Sequence, residues 1–526
     1  VQVSKIVEKS RFVIAALAVA GSFAPILATA ETQPHQSPVL TYNTDALKAA
    51  RFNRRDAVLM LDYQQLKIPG TNGIDLLGYH LMSPINDWLS IGLGSYAPVL
   101  QGEYGGFMGF GVIAHAQRNL TERLFVQGGL SFGGGGGGRS IGTSAALSGT
   151  GGFAKGYLGL GYRFNKLSVG VNVSKFKFFK SPIDSTQANL FVQLPFTYGT
   201  GPYHQAGKKF TLGPRDGSLR GRESIISFGL DNFKQINPTG SFKDTLHTVD
   251  VQYSRFFNDH LYGFFALGVG YKGLPIYNQA IGGLGLRYAL SERINLYGQL
   301  GIGSGGYAPS LIDTGSGQLI YPKLSAEYML NDRFGVALTA GYMFAPDGTS
   351  KNYSLGLALN THFNTPSGIQ DPDTPETGRF GGYRLSLTHT TKTAMTVKAG
   401  AHDDLNLLNL QLDRKLTDHL YIPIRAGISY ESYRGYPGYG EISLGLGLQT
   451  RETQNNPWRF FGELQLGANV EGPIIRPGVG VSYALNDAIA IRGVASHTVG
   501  TKNFKSTNLE LGLTYRFSAP RFGNKR

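Results

Sequence analysis

The sequence predicts an all-β fold, a transmembrane antiparallel β-barrel architecture with about 24 strands in three eight-strand repeats. Three observations carry this: a composition suited to strands with one face in lipid, alternation of apolar with small or polar residues, and a threefold recurrence of hairpins. Two closures fit such a pattern. Three tandem eight-stranded barrels are favoured, and one large 24-stranded barrel is the alternative.

The 526 residues include 73 glycines, 28 tyrosines and 31 phenylalanines, while only 16% are charged, below the roughly 25% of a soluble domain. Mean hydropathy is −0.13, and past the N-terminus no apolar run approaches the roughly 18 residues a spanning helix needs. Alternating strands cross a bilayer without raising the average. The chain has no cysteine, which removes disulfide frameworks, cysteine-ligated zinc and thiol chemistry together.

At the N-terminus, Lys5, Lys9 and Arg11 precede the apolar stretch Phe12 to Leu27, and Ala28-Thr29-Ala30 follows. This is the pattern of a cleaved secretory signal over residues 1–30. Cleavage would remove three basic side chains and the acidic Glu8, lowering the formal charge from +14 to +12. An exported basic chain is not expected to meet nucleic acid, whereas lipopolysaccharide phosphates are natural counter-charges.

The repeat shows in three registers. Val249 to Arg255 followed by Asn258-Asp259-His260-Leu261 matches Leu408 to Arg414 followed by Thr417-Asp418-His419-Leu420, and Leu77 to Leu81 followed by Asn86-Asp87-Trp88-Leu89 fills the first copy. Next, Thr121-Glu122-Arg123, Ser291-Glu292-Arg293 and Pro457-Trp458-Arg459 each lead into an apolar strand. Tyr162 to Asn165, Tyr328 to Asp332 and Tyr483 to Asp487 mark a third turn. Self-similarity of this kind defines the organisation before any strand is placed. It gives a periplasmic segment 31–56, repeats at 57–198, 224–363 and 382–517, linkers at 199–223 and 364–381, and a tail 518–526. In the second repeat the strands are expected near 224–233, 247–257, 260–272, 279–290, 293–303, 318–330, 333–344 and 352–363. Tight turns alternate with longer Gly, Pro, Ser and Asp-rich links, as between the two ends of an outer-membrane barrel.

Within Arg333 to Tyr342, Phe334, Val336, Leu338, Ala340 and Tyr342 share the expected lipid face. Inward positions such as Ser354, Gly356 and Ala358 are small. A narrow eight-stranded interior demands that, and a wide lumen does not.

With its N-terminal signal, its hairpin repeat and the closing strand Leu509 to Phe517, the chain resembles the bacterial outer-membrane β-barrel class over residues of about 57 to 517. The resemblance implies insertion by the barrel-assembly machinery, with Tyr515 and Phe517 in the assembly signal. It identifies no single family, and nine residues after Phe517 depart from the usual pattern.

Candidate chemistry is sparse. His389, His402, His419 and His497 lie near acidic or hydroxyl residues. Ser496-His497-Thr498 is the nearest approach to a nucleophile and base, although adjacent strand residues face opposite sides. Asp403 and Asp404, with Asp373 and Glu376, lack calcium-loop spacing. Gly133 to Gly138 reads as a flexible outer loop. Lys208, Lys209, Arg215, Arg220 and Arg222 read as a soluble tether. Lys175, Lys177 and Lys180 interleave with Phe176, Phe178 and Phe179, which suggests an aromatic girdle with lysines reaching lipopolysaccharide phosphates. No cofactor is expected. The expected role is a non-enzymatic envelope protein with a structural, surface-interaction or small-solute task; a wide porin or exporter and a rim hydrolase are the alternatives.

Overall fold

The computed structural model describes residues 53–522 apart from 71–72, 138–149, 166, 213–222, 276, 332–333, 364–375, 399, 436 and 453–455. The signal segment, Arg215, Arg220, Arg222 and Asp373 lie outside the described residues.

Three closed barrels follow one another along the chain. The first holds β1 (Asn53–Leu66), β2 (Ile74–Pro84), β3 (Leu89–Ala97), β4 (Met108–Asn119), β5 (Leu124–Gly136), β6 (Gly152–Arg163), β7 (Ser168–Phe178) and β8 (Asp184–Thr200). A 3-10 turn, Tyr203–Gln205, and the short strand β9 (Lys209–Leu212) follow. The second barrel holds β10 (Ser224–Gln235), β11 (Leu246–Phe256), β12 (Leu261–Lys272), β13 (Asn278–Ala289), β14 (Ile294–Gly306), β15 (Gln318–Asn331), β16 (Phe334–Phe344) and β17 (Lys351–Phe363). The third is built from β18 (Glu376–Val397), β20 (Leu405–Lys415), β21 (Leu420–Ser429), β22 (Gly440–Gln449), β23 (Trp458–Asn469), β24 (Gly472–Ala484), β25 (Ile489–Gly500) and β26 (Lys505–Phe522), with the small strand β19 (Gly400–His402) beside β18.

Closure is settled by first-to-last pairing. Leu59 opposes Leu194, Leu230 opposes Leu357, and Leu387 opposes Leu513, all antiparallel. The 24-stranded alternative is therefore overturned: each group of eight satisfies its own edge amides, which a strand in hydrocarbon must do.

One end of every barrel carries tight turns, and their sequences explain them. Asn86, Asn258 and Asn486 each accept hydrogen bonds on Oδ1 from the backbone N–H groups two and three residues ahead. Thr121, Ser291 and Thr417 do the same through Oγ. These local bonds fix the reversal without a long loop.

The outer surfaces are aliphatic. Leu158, Leu324 and Leu448 are 66, 69 and 66% exposed, and leaving such a side chain in water forfeits roughly 1.5–3 kcal/mol. Leu338, Leu357, Leu446, Leu464 and Leu511 are exposed beside them. Trp88, Tyr162, Tyr288, Tyr328, Trp458 and Tyr483 are exposed around the turn end, as an interfacial girdle requires. Arg123 and Arg293 reach the Tyr162 and Tyr328 hydroxyls at 3.1 and 3.4 Å.

The barrels touch one another at both ends. At the loop end, Gly105 N–H donates to the Gly315 carbonyl at 3.0 Å and Asn278 Nδ2 to the Gly106 carbonyl at 3.0 Å, joining barrels one and two. The glycine run, read from sequence as a flexible loop, instead ends β5, with Gly133 to Gly136 paired to β4. A Cβ on Gly134 would lie 2.1 Å from the Ser429 carbonyl oxygen, and one on Gly136 would lie 2.4 Å from the Gly438 Cα. Here glycine allows barrel three to approach barrel one, a reason for the residue other than flexibility. At the turn end, Gly201 and Ser518 exchange backbone hydrogen bonds at 2.8 and 2.9 Å. The linker is not simply a tether: Lys209–Leu212 pairs with Glu376–Arg379 of β18. Thus β18 begins inside the stretch read as the second linker, and β26 runs on to Phe522 through the stretch read as a tail.

Candidate functional site

Each lumen is occupied by its own side chains, in three different chemistries. Side chains at alternate positions along each strand must fill a space too narrow to leave open.

In barrel one a buried carboxylate, Asp62, meets His80 at 2.7 Å and the Lys155 ammonium. Tyr96 packs edge-on against Phe153 and Phe176 around them, with the three ring centroids 5.1–5.4 Å apart. Leu66, Ile74, Tyr104, Phe107 and Phe178 close the loop end. Met60, Met82, Ile113, Phe125 and Phe191 form a separate buried cluster.

In barrel two, Lys323 Nζ donates to Asp231 Oδ2 at 2.7 Å, and Gln279 Nε2 donates to Asp250 Oδ1 at 3.0 Å. A cavity of about 30 Å³ lies among these groups and Ser227, Gln252, Gln299 and Ala358, room for a few waters and no more. Nearer the turn end His362 bridges Glu223 and Glu327 at 3.1 and 2.9 Å, and Arg287 donates to Glu223 at 2.7 Å.

Barrel three holds an ion network. Lys392 and Arg425 meet Glu441 at 2.9 and 2.6 Å; Arg425 and Arg476 meet Glu510 at 3.1 and 2.9 Å. Arg492 meets Glu463 at 2.9 Å and Arg384 meets Asp413 at 3.1 Å. Buried charges survive in such a space only when paired. These arginines escaped the sequence reading, which expected small inward residues. Their signal was charge flanked by apolar neighbours, as in Leu509-Glu510-Leu511 and Trp458-Arg459-Phe460.

The residues expected to carry chemistry are not assembled. Ser496 faces inward and accepts from Arg476 Nε at 2.9 Å, while His497 is exposed and touches Thr507 Oγ1 at 3.4 Å. His389 meets the Tyr430 hydroxyl at 2.7 Å, and His402 meets the Asp403 carbonyl at 2.7 Å. His419 meets the Gln449 carbonyl at 3.1 Å. No cluster of three His, Asp or Glu side chains suited to a metal occurs among the described residues.

Lys175 and Lys177 project from the outward face of β7, 63 and 56% exposed, and converge on Asp184 at 3.2 and 3.5 Å. Lys180 is exposed in the following reversal, with φ of 55°. The expected girdle of Phe176 and Phe178 is corrected: both point into barrel one and are buried. The lysines share a face with Val169, Val171 and Val173, so strand alternation forces the phenylalanines inward. Tyr515 and Phe517 lie on the outer side of β26, stacked at 5.4 Å, and Phe517 also stacks on Tyr383 at 5.5 Å.

No family model and no curated protein matches the chain. Solved structures with similarity include Neisserial surface protein A, 15% identical, covering 26% of this chain and 96% of its own, with a TM-score of 0.21. The Yersinia pestis outer membrane protein Ail is 16% identical, covering 27% of this chain and 99% of its own, with a TM-score of 0.20. The ferric enterobactin receptor of Pseudomonas aeruginosa is 10% identical, covering 88% of this chain and 80% of its own, with a TM-score of 0.28.

Proposed function

We propose that this triple-barrel protein is a non-enzymatic component of the Gram-negative outer membrane, serving a structural or surface-interaction role through a joined array of three plugged barrels. The observation that carries the reading is that, among the described residues, buried side chains occupy the interior of each barrel, and the cavity beside Asp231 and Asp250 in barrel two has room for a few waters. Sealed cylinders with aliphatic exteriors anchor and present; they do not pass solutes as a wide pore does. In this reading the tight turns face the periplasm and the loops face outward.

The partners follow from the rim. Lys175, Lys177 and Lys180 would contact lipopolysaccharide phosphates above the aliphatic belt, with Asp184 holding two of them in place. Insertion would proceed through the barrel-assembly machinery, with Tyr515 and Phe517 on the outer side of β26 as the recognised aromatic pair. No cofactor and no nucleic acid enters this role.

Single-channel recording in planar bilayers tests the central reading. Near-silence is expected, and a large stable conductance would overturn it in favour of a transport role. For the rim, replacing the three lysines by glutamine should reduce co-purifying lipopolysaccharide severalfold; unchanged retention would remove that contact.

A further inference from the structure

The lumen of barrel three carries more positive than negative charge. Among the described residues seven buried cations, Arg384, Lys392, Arg425, Arg459, Arg476, Arg492 and Arg516, face five buried carboxylates, Asp413, Glu441, Glu463, Glu471 and Glu510, with Glu452 partly buried beside Arg459 and Arg516. Toward the loop end Glu441 serves Lys392 and Arg425, and Glu510 lies within 3.7 Å of Arg425, Arg476 and Arg492. The deficit falls at the turn end.

There, Arg384 Nη1 and Arg459 Nη1 both donate to one neutral acceptor, Gln449 Oε1, at 2.7 and 3.2 Å. Both side chains are buried. Nη2 of Arg384 and Nη2 of Arg459 have no hydrogen-bond partner among the described residues. The nearby carboxylates are already engaged: Asp413 accepts from Arg384 Nε at 3.1 Å, and Glu452 accepts from Arg516 Nη1 at 3.3 Å while lying 3.7 Å from Arg459 Nε. Two guanidinium groups drawn to a single amide oxygen repel each other in a low dielectric. Each orphaned donor adds a desolvation penalty.

The mouth above them is roofed. Tyr203, from the first linker, accepts on its hydroxyl from Arg384 Nη1 at 3.3 Å, and its ring lies 5.0 Å from the Arg516 guanidinium. Asp487 holds this roof by accepting from the backbone N–H groups of Tyr203 and His204 at 2.7 and 3.0 Å. Tyr421 lies 4.6 Å from the Arg384 guanidinium, and Phe461 lies 4.3 Å from that of Arg459. These rings leave the guanidinium edges, where the N–H groups point, as the approach for a negative charge. A single small anion would supply the acceptor that both Nη2 groups lack.

We propose that Arg384 and Arg459 bind a halide-class anion beside Gln449, beneath Tyr203, as a structural ion of the third barrel. The full-length mature protein, folded in detergent micelles, is heated in sodium gluconate with increasing chloride or bromide at constant ionic strength. A saturable rise in Tm of several degrees with either halide is expected, together with a bromide anomalous peak between the two guanidinium groups in crystals. An equal response to gluconate, a larger response to phosphate, or no anomalous peak would overturn the proposal.

Gln449→Glu separates binding from folding because it supplies a fixed negative charge and removes no cation. It should raise Tm in gluconate and abolish the halide response. A halide response undiminished in Q449E would overturn the assignment. Arg459→Met should also lose the response, and Q449E keeps the proposal exposed to failure should R459M not fold.

Discussion

Barrels one and three share a strand count, a turn pattern and a lipid-facing surface, yet their interiors are opposites. Barrel one surrounds a single Asp62, His80 and Lys155 group with Tyr96, Phe153 and Phe176. Barrel three concentrates its apolar filling toward the loop end, around Met395, Leu405 and Tyr439, and has only Tyr421, Phe461 and Val494 as a second buried cluster. Arginines, carboxylates and neutral polar side chains such as Gln411, Gln465 and Asn508 are buried in the rest of its interior. The backbone cylinder thus dictates how much volume must be filled and leaves the chemistry of the filling open.

The chain contains two tryptophans, Trp88 at the turn end of barrel one and Trp458 at the turn end of barrel three, so these two barrels each have their own fluorescent reporter. The largest expected effect is on the charged interior. Glu510→Leu strips a shared counter-charge from Arg425 and Arg476 and should cost about 3–5 kcal/mol, seen by Trp458 in urea unfolding from lipid vesicles and not by Trp88. Equal movement of both reporters would show that the barrels unfold as one unit and would break the comparison. Phe153→Ala should cost about 3 kcal/mol through cavity formation, shift the Trp88 transition and show little dependence on salt. A strong salt dependence would mean that the ion group, rather than the aromatic packing, dominates barrel one. The smallest effect concerns the seam: Gly134→Val forces a side chain onto the Ser429 carbonyl and should cost about 1–3 kcal/mol. Both barrels should stay closed while the loop 430–439 becomes more sensitive to protease; unaltered cleavage would show that the seam does not join them.

The architecture was largely legible because alternation and turn chemistry are local. The strands expected in the second repeat fall within three residues of those observed, for instance 318–330 against Gln318–Asn331, and the small inward positions Ser354 and Gly356 are buried. What period two does not reveal is which of two mixed faces turns inward. Phe176 and Lys177 were distinguishable only by extending the pattern back to Val169 and Val173. Buried ion pairs were illegible for another reason: Glu510 meets its partners 85 and 34 residues away, beyond any local signal. The same distance problem hid the role of Gly134, whose contact is Ser429. Lys175 and Lys177 were recognisable as outward lysines at a rim, because their face is continuous with an aliphatic stripe.

The backbone exchange between Gly201 and Ser518 has a consequence for biogenesis. These residues are separated by most of the two later barrels, so the bond is of very high contact order and forms only once nearly the whole chain has arrived. The earlier cylinders can zip shut on their own strands, but this clasp between the first and the third waits for the final strand. A chain truncated before Ser518 would therefore lose this clasp at the turn end and keep the loop-end contacts of Gly105 with Gly315 and of Asn278 with Gly106.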